Sequence, residues 1–452
     1  MDGVPTGMMG VDNSLPRYAG GGQGWGRRSA LRKNLWKAGS ILATFILTLV
    51  IANFFAPADK RFDTHMYGHD FLPFYTAGQF VRSGQIAQLY NPDATKVAEH
   101  KTAAAAGLVI RNEYGAFLNP PFAALPAAPL AAWPYRPALF IWTIFLLVCL
   151  SASIFLLIQL LPRATPWQTW ALIPLLLFAA LPAWQAMVHA QNTFVSLAIL
   201  SAAVFAARSQ KPFIAGLIAG LLFYKPQLAA ILAAVLVVIH GRRALAGLSL
   251  TSALLLLITV FTLHGALTDY LQRMPANLRA IQILPTYTWQ RHITFLAWWR
   301  LLLQGRAGAL PNLPARILAA LCMSAVAGAL AIAVWRGRRD PPRADRILAA
   351  AIAAMPLTMP YFMDYDLTLL SVAAVLCAAD AIRHGGDRAI LFAWIGLYIA
   401  MELNPTITSL TPIIPAVPAL TVLSILLIRK AMQPITSQQS LPIESTIFLL
   451  AA

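Results

Sequence analysis

Asp70 lies in His69-Asp70-Phe71-Leu72-Pro73-Phe74-Tyr75-Thr76-Ala77-Gly78, shortly after the first long apolar run of the chain. A carboxylate beside lipid is expensive and is kept mainly for a functional reason. In this place it suits a base that takes a proton from a hydroxyl at a membrane surface. As an ordinary loop residue it would simply be solvated. Asp63 lies seven residues earlier. If the segment is helical, the two carboxylates share a face, so either could be the base while the other positions an acceptor.

Other polar groups stand out against apolar surroundings. Lys225, in Leu221-Leu222-Phe223-Tyr224-Lys225-Pro226-Gln227, has no other charge nearby. It either snorkels to the headgroups or meets an anion such as a lipid phosphate. His189-Ala190-Gln191-Asn192 closes a tight turn between two apolar runs. Asn192 there is either a helix cap or, with Gln191, a partner for substrate hydroxyls. Gln290-Arg291-His292 offers a guanidinium fork suited to phosphate oxygens, or a headgroup anchor. Asp364 and Asp366, in Met359-Pro360-Tyr361-Phe362-Met363-Asp364-Tyr365-Asp366-Leu367, need partners next to lipid. They could pair with Lys225 or Arg291, or bind a sugar. A metal would need more oxygen ligands than this segment supplies. The chain has no GxxxxGK[ST] phosphate loop, no HExxH and no paired CxxC, so nucleotide binding of the soluble type is unsupported.

The elements that must carry these groups are membrane helices. Of 452 residues, 59% are hydrophobic and only 11% charged, with a mean hydropathy of +0.66. A soluble domain carries about 25% charged residues. Apolar runs near 35–56, 138–161, 167–188, 192–207, 212–224, 227–240, 244–263, 316–335, 346–361, 366–382, 388–402 and 413–428 predict about twelve transmembrane helices in one domain over 35–432. Residues 1–34 read as a disordered, basic cytoplasmic head that is not cleaved, and 433–452 as a polar tail. The net charge of +17 does not indicate nucleic acid, because most Lys and Arg fall in short gaps between apolar runs. Cys149, Cys322 and Cys377 lie inside apolar stretches and read as packing residues.

With the N-terminus inside, every inner connection is positive: Arg163; Arg208 and Lys211; Arg242 and Arg243; the cluster Arg336–Arg346; Arg383 and Arg388; Arg429 and Lys430. Both termini are then cytoplasmic. The run 292–304, interrupted by Arg300, is read as re-entrant or interfacial, since a full span there would put the Arg336–Arg346 cluster outside. Two long loops, about 57–137 and about 264–315, fall on the outer side. The first is rich in aromatics (Tyr67, Phe74, Tyr75, Tyr90, Trp133 among them) that suit interfacial helices or sugar stacking. Asp70, Gln191, Lys225, His292 and Asp366 come from five parts of the chain, and this topology places all of them on one side.

Four stretches resemble glycosyltransferase family 87. They are Asp70–Gly78 followed by Ser83-Gly84 and Leu89-Tyr90-Asn91-Pro92; Asn119-Pro120-Pro121-Phe122 leading to Leu125–Leu130; Gln191-Asn192-Thr193; and Gly220–Gln227. Asn119 replaces the family's usual aromatic and Ala190 its usual Gly. Tyr361–Leu367 lacks the paired His of mycobacterial relatives. The resemblance implies an all-α polytopic membrane protein of the GT-C type, with a long first outer loop carrying interfacial helices. It implies transfer of a hexose, with mannose expected, from a polyprenyl-phosphate donor to a glycolipid or glycan acceptor. The expected setting is the periplasmic face of a bacterial inner membrane, with membrane lipid as the other partner.

On that pattern Asp70 is the catalytic base of an inverting displacement, and Asp63 is the reserve base or positions the acceptor. Lys225, Arg291 and His292 would hold the donor phosphate. Tyr75, Asn119, Gln191, Asn192, Asp364 and Asp366 would contact sugar or acceptor. No cofactor is expected, and the reaction is expected to be metal-independent. A flippase for a lipid-linked sugar would carry inverted repeats and midplane polar groups, and no repeat is visible. A ligase using a lipid-diphosphate donor is the other alternative.

Overall fold

The computed structural model describes residues 36–48, 51–52, 67–108, 110, 114–306 and 309–435, and the statements below concern those residues. Asp63 lies outside them. The described chain is helical, and its one isolated β-bridge pairs His292 with Met363.

Each expected apolar run holds a helix, but length separates them. Five helices are long and apolar enough to cross a membrane: Tyr135–Gln159, Arg242–Thr262, Leu313–Gly337, Asp364–His384 and Arg388–Leu410. Trp167–Ala179 and Leu181–Val188 make a sixth only when taken as one span bent by 57°. Trp36–Thr48, Thr193–Arg208, Pro212–Tyr224 and Pro226–His240 are apolar but shorter. A helix of 16 residues rises about 24 Å, against a hydrocarbon core of about 30 Å. Among the described residues, five or six helices are of spanning length, against the expected count of about twelve. Hydropathy sums over a window and does not see the breaks. Pro182 ends one helix early by removing an N–H and crowding the preceding turn. Pro226 and Gly241 set the ends of another.

The bend before Pro182 frees the Leu181 N–H, which donates to Glu402 Oε1 at 2.9 Å. The kink is thus held from the neighbouring helix Arg388–Leu410. At the centre, helix Ala344–Ala354 is buried at every position from Asp345 onward, and 83% of the apolar window of Asp364–His384 is buried. The windows of Tyr135–Gln159 and Arg242–Thr262 are 22% buried, so most of their apolar surface is left to lipid. Pro212–Gly220 packs on Arg242–Thr262 with backbones nearly touching. A Cβ on Gly216 would lie 2.0 Å from the Ala244 carbonyl oxygen, and one on Gly247 2.0 Å from that of Phe213. Small residues are what permit such an approach between apolar helices.

The run 292–304 forms the ten-residue helix Phe295–Gln304, too short to span. Arg300 is fully buried. It donates to the carbonyls of Gly305 and Ala309 and lies over the Trp289 ring, 5.2 Å from its centroid. It closes the helix end rather than reaching for headgroups.

Polar groups gather at both ends of two central helices. One end of Thr193–Arg208 meets the end of Asp364–His384 that carries Asp366. At the far ends, Arg208 and Arg383 both pair with Asp345, at 3.2 and 2.9 Å, while Arg346 and His384 pair with Asp380, at 2.8 and 2.9 Å. Read from sequence, Arg208, Arg346 and Arg383 are loop charges that orient the chain. Folded, they also tie three helices together.

Candidate functional site

The carboxylate end of the molecule encloses a cavity of about 460 Å³. Asp70, Asn119, Gln191, Asn192, Lys225, Arg291, His292 and Asp366 all line it. Tyr75 and Asp364 do not.

Asp70 sits in a single 3-10 turn, His69–Phe71, that is anchored from two directions. The Gly68 N–H donates to the Val188 carbonyl at 3.1 Å, and the Tyr135 hydroxyl donates to the Gly68 carbonyl at 2.7 Å. The Phe71 ring stacks on Trp142, with centroids 5.4 Å apart. Such support keeps a short side chain in one place. Gln191 Nε2 donates to Asp70 Oδ2 at 2.6 Å. His69 Nδ1 lies 3.8 Å from Oδ1, and His189 Nδ1 lies 3.9 Å from Oδ2. Burial pushes this carboxyl up, but His69, His189, Gln191 and Arg291 together outweigh it and hold Asp70 well below the usual carboxylate range. The side chain remains 28% exposed, so it is an ionised group facing the cavity.

Gln191 is aimed by strain. Ala190, at φ 51°, occupies the left-handed region, at a cost of about 1–2 kcal/mol for a residue with a Cβ. Its carbonyl accepts from Trp142 Nε1 at 2.8 Å. Asn192 begins Thr193–Arg208 without a side-chain cap, so the capping alternative is set aside. Its Oδ1 is buried with no hydrogen-bond partner, which suits a group waiting for a donor.

Both cations have counter-ions. Lys225 Nζ donates to the Asp366 oxygens at 3.0 and 3.2 Å, and Thr193 Oγ1 donates to Asp366 Oδ1 at 2.6 Å. Arg291 clasps Asp364 through Nε and Nη2 at 3.0 to 3.2 Å, and the Tyr365 N–H donates to the same carboxylate at 2.9 Å. Of the alternatives for the two aspartates, pairing is what is found. Asp364 is the anchor of Arg291 and not a cavity group.

Three further residues of the expected set have partners within the protein. Tyr75 is 4% exposed. Its hydroxyl donates to the Trp133 carbonyl at 2.8 Å and its ring meets Tyr135 edge-on, so it packs the wall behind Asp70. Asn119 lines the cavity, but its Nδ2 donates to the Tyr224 carbonyl at 2.7 Å. It ties the first outer segment to the residue before Lys225. His292 is 1% exposed, between the rings of Tyr287 and Tyr361 at 5.2 and 4.7 Å. Burial and the adjacent Arg291 push its ring down to about 3. It is therefore a neutral imidazole and brings no positive charge to an anion.

Sequence reading gave His189 and Thr193 no separate role. Their signal was position in one turn, and their partners lie far along the chain. It also missed Ala266–Gln282, whose Tyr270, Met274, Leu278 and Ile281 line the cavity. These recur at helical spacing, which is the signal that would have found the face.

Glu99, on helix Pro92–Ala106, supports the cavity wall from behind. Its Oε2 accepts from the Gly115 N–H at 2.7 Å, and its Oε1 is buried without a partner. Burial pushes the carboxyl up to about 8, although the Gly115 N–H and His69 pull the other way. Above the ordinary value of 4.5 the unfolded chain ionises here while the folded protein keeps the proton. Glu99 therefore costs stability progressively from pH 4.5 to about 8, and the cost is absent below that window. Glu99→Gln keeps an acceptor for Gly115 and does not titrate. It is expected to unfold at a higher temperature than the parent at about pH 9 and no higher at about pH 4. An equal difference at both pH values would rule out ionisation as the cause.

An apolar helical bundle with spanning helices, and a polar cavity of carboxylates and cations at one end, defines a membrane protein built to handle a polar substrate beside lipid. The family model for glycosyltransferase family 87 matches residues 117–360, more than half of the chain. The chain belongs to that family and is a glycosyltransferase. The matched range includes Asn119, Gln191, Asn192, Lys225, Arg291 and His292; Asp70 and Tyr75 precede it, and Asp364 and Asp366 follow it. No curated protein and no solved structure matches the chain.

Proposed function

We propose that the enzyme moves a hexose, mannose in the first instance, from a polyprenyl-phosphate donor to a glycolipid or glycan acceptor. The reaction takes place at the periplasmic face of a bacterial inner membrane. What carries this reading is the ionised Asp70 in the same cavity as Lys225 and Arg291. A base and a pair of cations in one enclosure are what such a displacement requires. The Arg-rich ends of the central helices lie away from the cavity, which supports an outward-facing site.

In the proposed step the acceptor hydroxyl oxygen attacks the anomeric carbon as Asp70 takes its proton. The bond from that carbon to the phosphate oxygen breaks, and polyprenyl phosphate leaves with the electron pair. The anomeric configuration inverts. The Lys225 ammonium has three donors, of which Asp366 engages two, and the third is assigned to the departing phosphate. Asn192 and Gln191 are assigned to sugar hydroxyls. With His292 neutral, the charge stabilisation falls to Lys225 and Arg291 alone.

The test is transfer of radiolabelled sugar to endogenous acceptors by membranes containing the protein, compared with membranes lacking it. Polyprenyl-phosphate-mannose comes first, then the glucose and arabinose donors. Protein-dependent transfer from one of them is expected, with the rate unchanged in excess EDTA. Transfer only from a lipid-diphosphate donor would replace this reading with the ligase one, and loss of transfer in EDTA would overturn the metal-independent step.

A further inference from the structure

The turn that carries Gln191 also carries His189, and the surroundings of that ring decide which nitrogen bears its proton. Arg291 Nη1 lies 3.2 Å from His189 Nε2. A guanidinium only donates, so Nε2 must accept and the proton must sit on Nδ1. Asp364 holds Nε and Nη2 of Arg291, which leaves Nη1 as the arm turned to the histidine. The Nδ1–H lies 3.9 Å from Asp70 Oδ2. That is beyond a hydrogen bond but within a small shift of one, as is common in sites that tighten around substrate. The same Oδ2 already accepts from Gln191 Nε2 at 2.6 Å.

We propose that His189 is a positioning residue for the base. Its Nδ1–H, set by the Asp364–Arg291 pair, joins Gln191 on Asp70 Oδ2 and fixes the orientation of the carboxylate, while His69 Nδ1 lies 3.8 Å from Oδ1. This rests on the reading of Asp70 as the base. The chain Asp364–Arg291–His189–Asp70 links two carboxylates from opposite halves of the protein and ties the outer segment carrying Arg291 to the orientation of the base.

Three substitutions separate this role from simple packing, because an Asn amide nitrogen stands near the place of imidazole Nδ1 and a Gln amide near that of Nε2. Transfer is measured on equal amounts of monodisperse His189→Asn, His189→Gln and His189→Leu protein, with Asp70→Asn alongside. His189→Asn is expected to keep kcat within about tenfold of the parent. His189→Gln and His189→Leu are expected to lose roughly a hundredfold in kcat, the lower end of what a well-placed acid–base group contributes. KM for the donor should stay the same in all three.

The reverse ranking, with Gln active and Asn impaired, would mean that the ring serves Arg291 and would overturn the proposal. A rise in KM with kcat intact would make His189 a substrate contact and overturn it as well. Full activity in all three with an inactive Asp70→Asn would overturn it while leaving the base reading in place. An active Asp70→Asn would overturn the base reading itself.

Discussion

Asp70→Asn is expected to lower transfer by about a thousandfold, within the range for removal of a general base, with yield and thermal unfolding close to the parent. The separation of activity from stability follows from the local geometry. Asparagine has the shape of aspartate and still offers an oxygen to Gln191 Nε2, the close donor at 2.6 Å. The turn is held by backbone and ring contacts, from Gly68 to Val188 and from Phe71 to Trp142, which do not involve the carboxylate. The side chain is partly exposed, so no strongly buried charge is stranded. Because its surroundings hold Asp70 well below the usual carboxylate range, it stays ionised in mild acid. Activity lost between about pH 6 and pH 5 would therefore belong to another group. A rate assay on monodisperse protein checks both statements. Transfer retained by Asp70→Asn would move the base to Asp63.

The second large effect concerns Lys225. Lys225→Met is expected to destabilise the protein by about 3–5 kcal/mol, the usual cost of removing one partner of a buried ion pair. Asp366 would be left buried with only Thr193 to meet it. Lys225→Met combined with Asp366→Asn removes both charges, and most of the lost stability should return. The two effects should thus be strongly non-additive, as contacting residues are. Transfer should not return with it. In the proposed mechanism Lys225 stabilises charge on the leaving phosphate, so the double variant is expected to fold and to transfer at roughly a hundredth of the parent rate or less. Thermal unfolding of the two single variants and the double, with transfer measured on each, separates the roles. Recovery of both properties would confine Lys225 to holding Asp366.

Membrane character, helical class and the family were all legible in the chain. Each rests on local properties: runs of apolar residues, basic residues in the gaps, and short stretches such as Gln191-Asn192-Thr193 and Tyr224-Lys225-Pro226. The same local bias placed Asp70, Gln191, Lys225, His292 and Asp366 on one side, and all five line one cavity. Charge asymmetry needs only the order of segments, so no contact had to be known.

What tertiary structure decided is pairing and, through pairing, charge. Lys225 meets Asp366 across 141 residues and Arg291 meets Asp364 across 73. No periodicity reports such partners. His292 reads as a cation by type, but aromatic burial beside Arg291 makes it neutral. Tyr75 reads as a sugar contact in an aromatic loop, but its hydroxyl turns to the Trp133 carbonyl. The helix count fell for a related reason. A window sum continues through Pro182 and Pro226, whereas hydrogen bonding does not. Local composition determines which medium a segment prefers. Which atoms a side chain meets there, and so whether it keeps its charge, depends on residues that only folding brings near.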